Sequence, residues 1–126
     1  MPNELILIVD DNEKNVKLAR HVLRFAGFRT LEAGTAGEGV SLAAEHLPDL
    51  VLMDIRLPDM DGMGALRRLK EDERTAGIPV VALTSFAMKG DCERFIAAGF
   101  DGYLEKPITV REFPNQVRHH LMPEKR

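Results

Sequence analysis

Three short runs of consecutive apolar residues constrain the fold of this chain more than any other feature. They are LILIV at 5–9, LVLM at 50–53 and VVAL at 80–83. A strand with one solvent-facing side alternates apolar and polar residues, whereas an unbroken apolar run fits a strand that is buried on both faces. Strands of this kind belong to parallel sheets that helices cover. The runs therefore predict the inner strands of such a sheet.

Amphipathic stretches alternate with these runs. After the first run, apolar residues recur at the spacing of one helix face, at Val16, Ala19, Val22, Leu23 and Ala26. Strand and helix alternate about five times, which is typical of a parallel sheet with right-handed crossovers and helices on both faces. Segments 29–33 and 101–105 are more polar and are expected at the sheet edges. The predicted fold class is α/β, doubly wound and flavodoxin-like, a five-stranded parallel sheet of order 2-1-3-4-5.

Glycine and capping residues locate several helix ends. Gly27 and Gly99 each stand in the sequence AGF, which is typical of a helix that ends in a left-handed glycine. Thr35 and Glu38 have the spacing of a capping box and predict a helix start near residue 36.

The start of the last helix is ambiguous. Thr109 and Glu112 also have capping-box spacing, which predicts a start near residue 110. Pro114 lacks the backbone donor that an interior helical position needs. The helix is therefore expected either to kink at the proline or to begin later than the threonine indicates.

Composition limits the class of protein. The 126 residues, 44% of them hydrophobic, suffice for a single domain over 1–126 with its core at about 4–122. The formal net charge of -3 comes from interspersed acids and bases, so we expect no direct nucleic-acid partner. Cys92 is the single cysteine and excludes an intramolecular disulfide. The N-terminus lacks signal-peptide features and the apolar runs are too short to span a bilayer, so we expect a cytoplasmic protein without membrane insertion.

The residues that come directly after the predicted strands form the candidate site, because ligands of open parallel sheets bind beyond the carboxyl ends of the strands. They are Asp10 and Asp11 after the first strand, Asp54 after the third, Thr84 and Ser85 after the fourth, and Lys106 and Pro107 after the fifth. Three carboxylates in one cleft repel one another unless a cation neutralises them. Carboxylate oxygens suit Mg²⁺, and no histidine or cysteine lies among these residues, so Mg²⁺ is favoured over zinc.

Asp54 is the candidate nucleophile because it closes the central strand, while Asp10 and Asp11 stand side by side as candidate metal ligands. A carboxylate can attack phosphorus to give a mixed anhydride when the charge on the transferring group is neutralised. Lys106 and Mg²⁺ are expected to neutralise it. The turn-rich loop 57–62 could hold the backbone rigidly around the ion.

Each of these residues also has an ordinary structural interpretation. The acidic pair could cap the next helix, Lys106 could be a solvated lysine, Thr84 a turn hydroxyl and Tyr103 a half-buried edge-strand aromatic. Independent structural roles would not place all of them at one end of a parallel sheet. The joint pattern therefore favours a functional site.

Four sequence blocks resemble the receiver domains of two-component response regulators, especially single-domain receivers of chemotaxis and the cell cycle. They are LILIVDDNEKN, DLVLMDIRLPDMDG, IPVVALTS and GYLEKPI, in this order over essentially the whole chain. The resemblance implies that Asp11 binds Mg²⁺ directly and Asp10 directly or through water. Asp54 would be both ligand and phosphoacceptor, and the backbone carbonyl of Arg56 would complete the protein's ligands. Lys106 would pair with the phosphoryl group.

The resemblance also implies a conformational switch and its partners. Thr84 would move its hydroxyl onto a phosphoryl oxygen, Tyr103 would turn inward, and Lys106–Pro107 would be a cis peptide. A histidine kinase or phosphotransfer protein would supply the phosphoryl group. A downstream protein would read the surface of the fourth helix, fifth strand and fifth helix. The chain would be no enzyme beyond catalysing its own phosphorylation and dephosphorylation.

Two other classes of function remain open. A pseudo-receiver would bind its partner without phosphate, but its expected mark is the loss of an acid, the threonine or the lysine, and none is missing here. A phosphohydrolase of the haloacid-dehalogenase pattern needs a second acid two residues after its nucleophile, where this chain has Arg56. A free-standing receiver and an excised domain of a larger chain fit the sequence equally.

Four residues flank the implied site: Arg56, Ser85, Phe86 and Pro107. Arg56 follows the acceptor by two positions, Phe86 follows Thr84 by two, and both are bulky. We hypothesise that these two side chains hinder the water that attacks the phosphoaspartate, so phosphate is lost slowly. Trimming both to alanine should shorten the half-life of the phosphorylated protein, and an unchanged half-life would contradict the hypothesis.

Overall fold

The apolar runs form the inner strands of one parallel sheet. A computed structural model describes residues 4–57, 59–84, 89–106 and 108–121, without the side chains of residues 89–92. Within these ranges the elements are β1 (Leu5–Val9), α1 (Glu13–Phe25), β2 (Arg29–Ala33), α2 (Ala36–His46), β3 (Leu50–Asp54), α3 (Gly62–Glu71), β4 (Val80–Thr84), α4 (Lys89–Ala98), β5 (Gly102–Glu105) and α5 (Phe113–His120). None of the helices in the described ranges has the length and apolar composition that a membrane span requires.

The sheet has the order β2-β1-β3-β4-β5, and every neighbouring pair is parallel. β3 and β4 are buried along their whole length, and β1 is buried from Ile6 onward. The more polar strands β2 and β5 lie at the two edges. The predicted fold class and strand order are therefore confirmed.

Each face of the sheet carries its own core, because alternate residues of a strand point to opposite faces. One core packs Ile8 and Leu52 beneath α1 and α5, and the other packs Val9 and Met53 beneath α2, α3 and α4. The predicted stripe of α1 lies in the first core, with Ala19, Val22 and Leu23 buried and Val16 and Ala26 partly buried. Helices thus cover both faces, as predicted.

Gly27 and Gly99 end α1 and α4 in the predicted manner. Their φ angles are 102° and 114°, in the left-handed region that glycine tolerates without steric cost. At the end of α1, the amide of Phe28 donates to the carbonyl of Leu23 at 3.0 Å. At the end of α4, the amide of Phe100 donates to the carbonyl of Phe95 at 3.1 Å. These bonds satisfy carbonyls that the helix itself leaves without partners.

The prediction that the last helix starts near residue 110 is wrong, because α5 begins at Phe113. The hydroxyl of Thr109 donates to Oε1 of Glu112 at 3.3 Å and caps no backbone amide of the helix. Pro114 is the second helical residue, where a missing donor costs nothing because no helical acceptor precedes it. Phe113 is fully buried. Of the two alternatives for this helix, the later start is the one observed.

Asp59 ties the loop between β3 and α3 to the start of α2. Its Oδ1 accepts from the amide of Ala36 and its Oδ2 from the amide of Gly37, both at 2.8 Å. Thr35, the predicted N-cap, accepts from the amide of Glu38 at 3.1 Å. These side chains satisfy amides that have no partner inside the helix. The bonds from Gly37 and Ala36 hold the pKa of Asp59 below its usual range.

We expect Asp59→Ala to lower the free energy of unfolding more than Asp59→Asn, since asparagine keeps an oxygen that can accept one of the two bonds. The folded-state pKa of Asp59 lies below the unfolded value of about 4, so its contribution is complete above that value. The contribution is lost as pH falls through the lower folded-state pKa.

Urea unfolding of the wild type and both variants at neutral and acid pH measures this effect. Glu73→Gln, which removes an exposed acid from the α3–β4 connection, controls for the loss of a surface charge. A wild-type advantage over Asp59→Ala that does not shrink on acidification would contradict the prediction.

Candidate functional site

Three carboxylates converge beyond the carboxyl ends of β1 and β3. Asp10 and Asp11 follow β1 and Asp54 ends β3, and their carboxylate oxygens lie within 4.8 Å of one another. Asp10 and Asp54 are only 3% and 7% exposed, whereas Asp11 is exposed. Parallel pairing sets Val9 beside Met53, which brings the next residues of the two strands together. The fold thus joins acids that are distant in the sequence, as predicted.

Backbone amides orient the two buried carboxylates. Oδ1 of Asp10 accepts from the amide of Asn12 at 2.9 Å, and Oδ1 of Asp54 accepts from the amide of Arg56 at 3.2 Å. The side chain of Asn12 is the N-cap of α1 and accepts from two amides of the first turn. Asn12, and neither Asp10 nor Asp11, is therefore the residue that caps α1.

Lys106 joins the two buried acids. Its Nζ lies 2.9 Å from Oδ2 of Asp10 and 3.1 Å from Oδ2 of Asp54, and its side chain is 11% exposed. The Lys106 amide donates to the carbonyl of Thr84 at 2.8 Å, which extends the pairing of β4 with β5 and fixes where the lysine leaves the sheet. The interpretation of Lys106 as a solvated surface lysine is wrong.

Burial and neighbouring charges act in opposite directions on the pKa values of this cluster. Burial is the largest effect on Asp54 and raises its pKa, the Lys106 ammonium opposes that effect, and the charge of Asp10 adds to it. For Lys106, burial alone would lower the pKa, but hydrogen bonds and charges from Asp10 and Asp54 together raise it. Lys106 is therefore protonated at neutral pH. Because burial and the Asp10 charge both disfavour the ionised form of Asp54, a second cation near its carboxylate would stabilise that form.

The loop after β3 is fixed at both ends. Arg56 and Asp61 form an antiparallel bridge, and the amide of Gly62 donates to the carbonyl of Ile55 at 2.7 Å. A Cβ atom on Gly62 would lie 2.6 Å from the carbonyl oxygen of Asp54, so the start of α3 approaches the end of β3 closely only because residue 62 is glycine. This loop carries the backbone carbonyl of Arg56, which the family resemblance of the sequence implies as a metal ligand.

Of the remaining candidate residues, two line the cleft, one lies on β5 and three lie outside the described residues. Thr84 ends β4, is 6% exposed and lines the cleft above the carboxylates, and the exposed Arg56 lines it as well. Tyr103 lies on β5 with 37% of its surface exposed. Ser85, Phe86 and Pro107 lie outside the described residues, as does the Lys106–Pro107 peptide bond.

The lining of the cleft also includes two residues of α4 that the sequence did not predict. The cleft has a volume of about 550 Å³, and Arg94 and Phe95 of α4 line it together with the strand-end residues. Arg94 is distant from every strand end in the sequence. Its participation depends on how α4 packs, which no local pattern reveals.

The chemistry of the cleft fits a hard divalent cation. Three carboxylates face one ammonium, which leaves an excess of two negative charges among these groups. Within the described part of the chain, each oxygen of Asp10 and Asp54 has a hydrogen-bond or ion-pair partner, and a carboxylate oxygen has a second lone pair that can bind a metal. Oxygen donors without sulfur or imidazole suit a hard cation better than a soft one. The acidic pocket is thus suited to bind a metal.

Comparisons with known proteins agree with this geometry. The polar-differentiation response regulator DivK of Brucella ovis is 44% identical over 116 residues, which cover 92% of this chain and 94% of DivK. The receiver domain of a sensor histidine kinase from Pseudomonas aeruginosa PAO1, solved with magnesium coordinated in its active-site cleft, is 33% identical with a TM-score of 0.85. That match covers 94% of this chain and 97% of the other. CheY4 of Vibrio cholerae, a chemotaxis response regulator, is 22% identical with a TM-score of 0.89. That match covers 94% of this chain and 99% of CheY4, and it supports the fold.

A family-wide comparison gives the same result. The family model described as the response regulator receiver domain matches residues 6–118, which include all three acids of the cleft, Thr84 and Lys106. Receiver domains are signalling switches of two-component systems and not classical enzymes, as the sequence interpretation holds. The chain belongs to the response regulator receiver domain family.

Proposed function

We propose that Asp54 accepts a phosphoryl group from a phosphohistidine of a histidine kinase or phosphotransfer protein, in a reaction that depends on Mg²⁺. One observation carries the proposal: a buried carboxylate lies 3.1 Å from a buried ammonium and beside two further carboxylates, in an open cleft. Clustered acids repel one another, and groups of acids held together at this cost are typical of functional sites that bind a cation.

In the proposed reaction, an oxygen of Asp54 forms a bond to phosphorus while the bond between phosphorus and the histidine nitrogen breaks. The electron pair of the broken bond stays on the imidazole, which takes up a proton, and the product is an aspartyl phosphate. The Arg56 amide on Oδ1 keeps the carboxylate oriented. Lys106, already in contact with this carboxylate, binds a phosphoryl oxygen as negative charge develops.

Asp10, Asp11, Asp54 and the backbone carbonyl of Arg56 would hold Mg²⁺. The ion would neutralise the phosphoryl oxygens, so that an anionic carboxylate can approach an anionic phosphoryl group. The magnesium ion in the similar Pseudomonas receiver supports this assignment. Asp11, the exposed acid of the three, can bind an ion without losing a protein contact described in the structure.

Thr84 and Tyr103 are the proposed switch residues. Asp54 pairs with Leu83 of β4, Thr84 is the next residue, and both Asp54 and Thr84 line the cleft. The Thr84 hydroxyl would move onto an oxygen of a phosphoryl group on Asp54. Tyr103 stands partly exposed on the neighbouring β5 and would turn into the space that Thr84 leaves. These movements would change the surface of α4, β5 and α5 that a downstream cytoplasmic protein reads.

Intact-mass analysis after incubation with acetyl phosphate and Mg²⁺ tests the proposal. We expect one added phosphoryl group in the wild type, and none with EDTA or in Asp54→Asn, because each removes a group that the reaction needs. A folded wild type that binds Mg²⁺ but takes up no phosphoryl group would contradict the proposal and favour a phosphate-independent binding module. Turnover of a phosphate ester beyond one equivalent would instead favour a phosphohydrolase.

Asp11→Asn should weaken Mg²⁺ binding by about tenfold or more, because it removes one of the three charges that would hold the ion. The chain contains no tryptophan, so isothermal titration calorimetry is the suitable readout. Glu13→Gln removes an exposed acid two positions further along, outside the cluster, and should leave the affinity unchanged. Equal affinities of Asp11→Asn and Glu13→Gln would contradict the metal assignment.

A further inference from the structure

One wall of the cleft comes from a helix and has no part in the phosphoryl transfer proposed for Asp54. The assigned residues around Asp54 lie at strand ends or in the loops that continue from them. Arg94 and Phe95 instead come from α4 and line the same cleft. Arg94 is thus a cationic side chain from α4 in the lining of the cleft that also holds the proposed acceptor.

Phe95 holds α4 against the sheet at this point. It is 3% exposed within the core on the α2, α3 and α4 face, and its ring meets that of Phe100 edge to face at 6.0 Å between centroids. The amide of Phe100 also donates to the Phe95 carbonyl at 3.1 Å. The residue before Phe95 is exposed and lies at the edge of the cleft, so Arg94 is carried on an anchored part of α4.

The positions of the positive charges in the cleft indicate what Arg94 could bind. Lys106 is held between Asp10 and Asp54 at 2.9 and 3.1 Å, and its ammonium is a compact charge suited to a single phosphoryl oxygen. A transferring phosphoryl group spreads its negative charge over three equatorial oxygens. A guanidinium presents a planar fork of donors that can bind two of these oxygens together. Arg94 supplies such a fork from the α4 side of the cleft.

We propose that Arg94 is a phosphate-binding residue, whose guanidinium binds oxygens of the phosphoryl group during transfer and on the phosphorylated Asp54. The inference rests on the proposed function of Asp54 and adds a contact to it. Because Arg94 belongs to α4, this contact links the phosphoryl charge directly to a helix of the proposed output surface. Phosphorylation then acts on α4 through charge attraction as well as through Thr84 and Tyr103.

The rate of phosphorylation by acetyl phosphate at saturating Mg²⁺, followed by intact mass, tests this contact. Arg94→Ala and Arg94→Gln should slow labelling by about tenfold or more, the effect of one charged hydrogen-bonding group. Arg94→Lys, which keeps the charge but not the fork, should lie between them and the wild type. Arg68→Ala removes an exposed arginine of α3 that does not line the cleft, and should label at the wild-type rate.

Two further readouts on the same samples separate phosphate binding from a structural role. The affinity for Mg²⁺ and the urea midpoint should be the same in Arg94→Ala and Arg68→Ala. Labelling of Arg94→Ala and Arg94→Gln at the rate of Arg68→Ala would overturn the inference while leaving Asp54 as acceptor. A parallel loss of Mg²⁺ affinity or stability in both Arg94 variants would overturn it as well. Failure of the wild type to label would overturn the proposed function itself.

Discussion

The ammonium of Lys106 between the carboxylates of Asp10 and Asp54 is the interaction on which the site depends. It lies 2.9 and 3.1 Å from the two acids and joins the ends of β1, β3 and β5, although β5 is two strands away from β3. Removing the Lys106 ammonium would leave two buried carboxylates without their positive partner, and breaking a buried ion pair in this way typically costs about 3–5 kcal/mol. The contacts of Lys106 therefore both hold the strand ends in place and neutralise part of the negative charge in the cleft.

The topology explains why this cluster forms where it does. From β1 the chain passes through α1 to the edge strand β2, whereas from β3 it passes through α3 to β4 on the other side. The connections leave in opposite directions at the junction of β1 and β3, and a crevice opens between them. Asp10 and Asp54 stand on its two sides. Because the central strands are buried on both faces, the floor of the crevice is closely packed.

The loop that borders the crevice depends on contacts at some distance from the acids. Gly62 allows α3 to begin close to the end of β3, and Asp59 fastens the tip of the loop to the start of α2. These contacts hold the Arg56 carbonyl in a defined place relative to the carboxylates. The position of this loop, which follows a strand end, therefore depends on contacts at the starts of α2 and α3.

Local periodicity and the residues at strand ends made the sheet and most of the site predictable from the sequence. Unbroken apolar runs indicate the buried strands, and more polar segments indicate the edges. Parallel strands share one carboxyl edge, which predicts that Asp10, Asp54 and Lys106 lie together. The start of α5 was not predictable from Thr109, since burial of Phe113 and the position of Pro114 outweigh a capping pattern. The bonds of Asp59 to α2 and the approach of Arg94 to the cleft depend on packing between distant segments, for which no sequence pattern exists.

The most direct measurement identifies the carboxylate that carries the phosphoryl group. Borohydride reduces an aspartyl phosphate to homoserine, and peptide mass spectrometry of the phosphorylated, reduced protein locates the changed residue. We expect homoserine in place of Asp54 and unchanged Asp10 and Asp11. Homoserine in place of Asp10 or Asp11, or a phosphorylated protein in which no aspartate is reduced, would contradict the assignment of Asp54 as the acceptor.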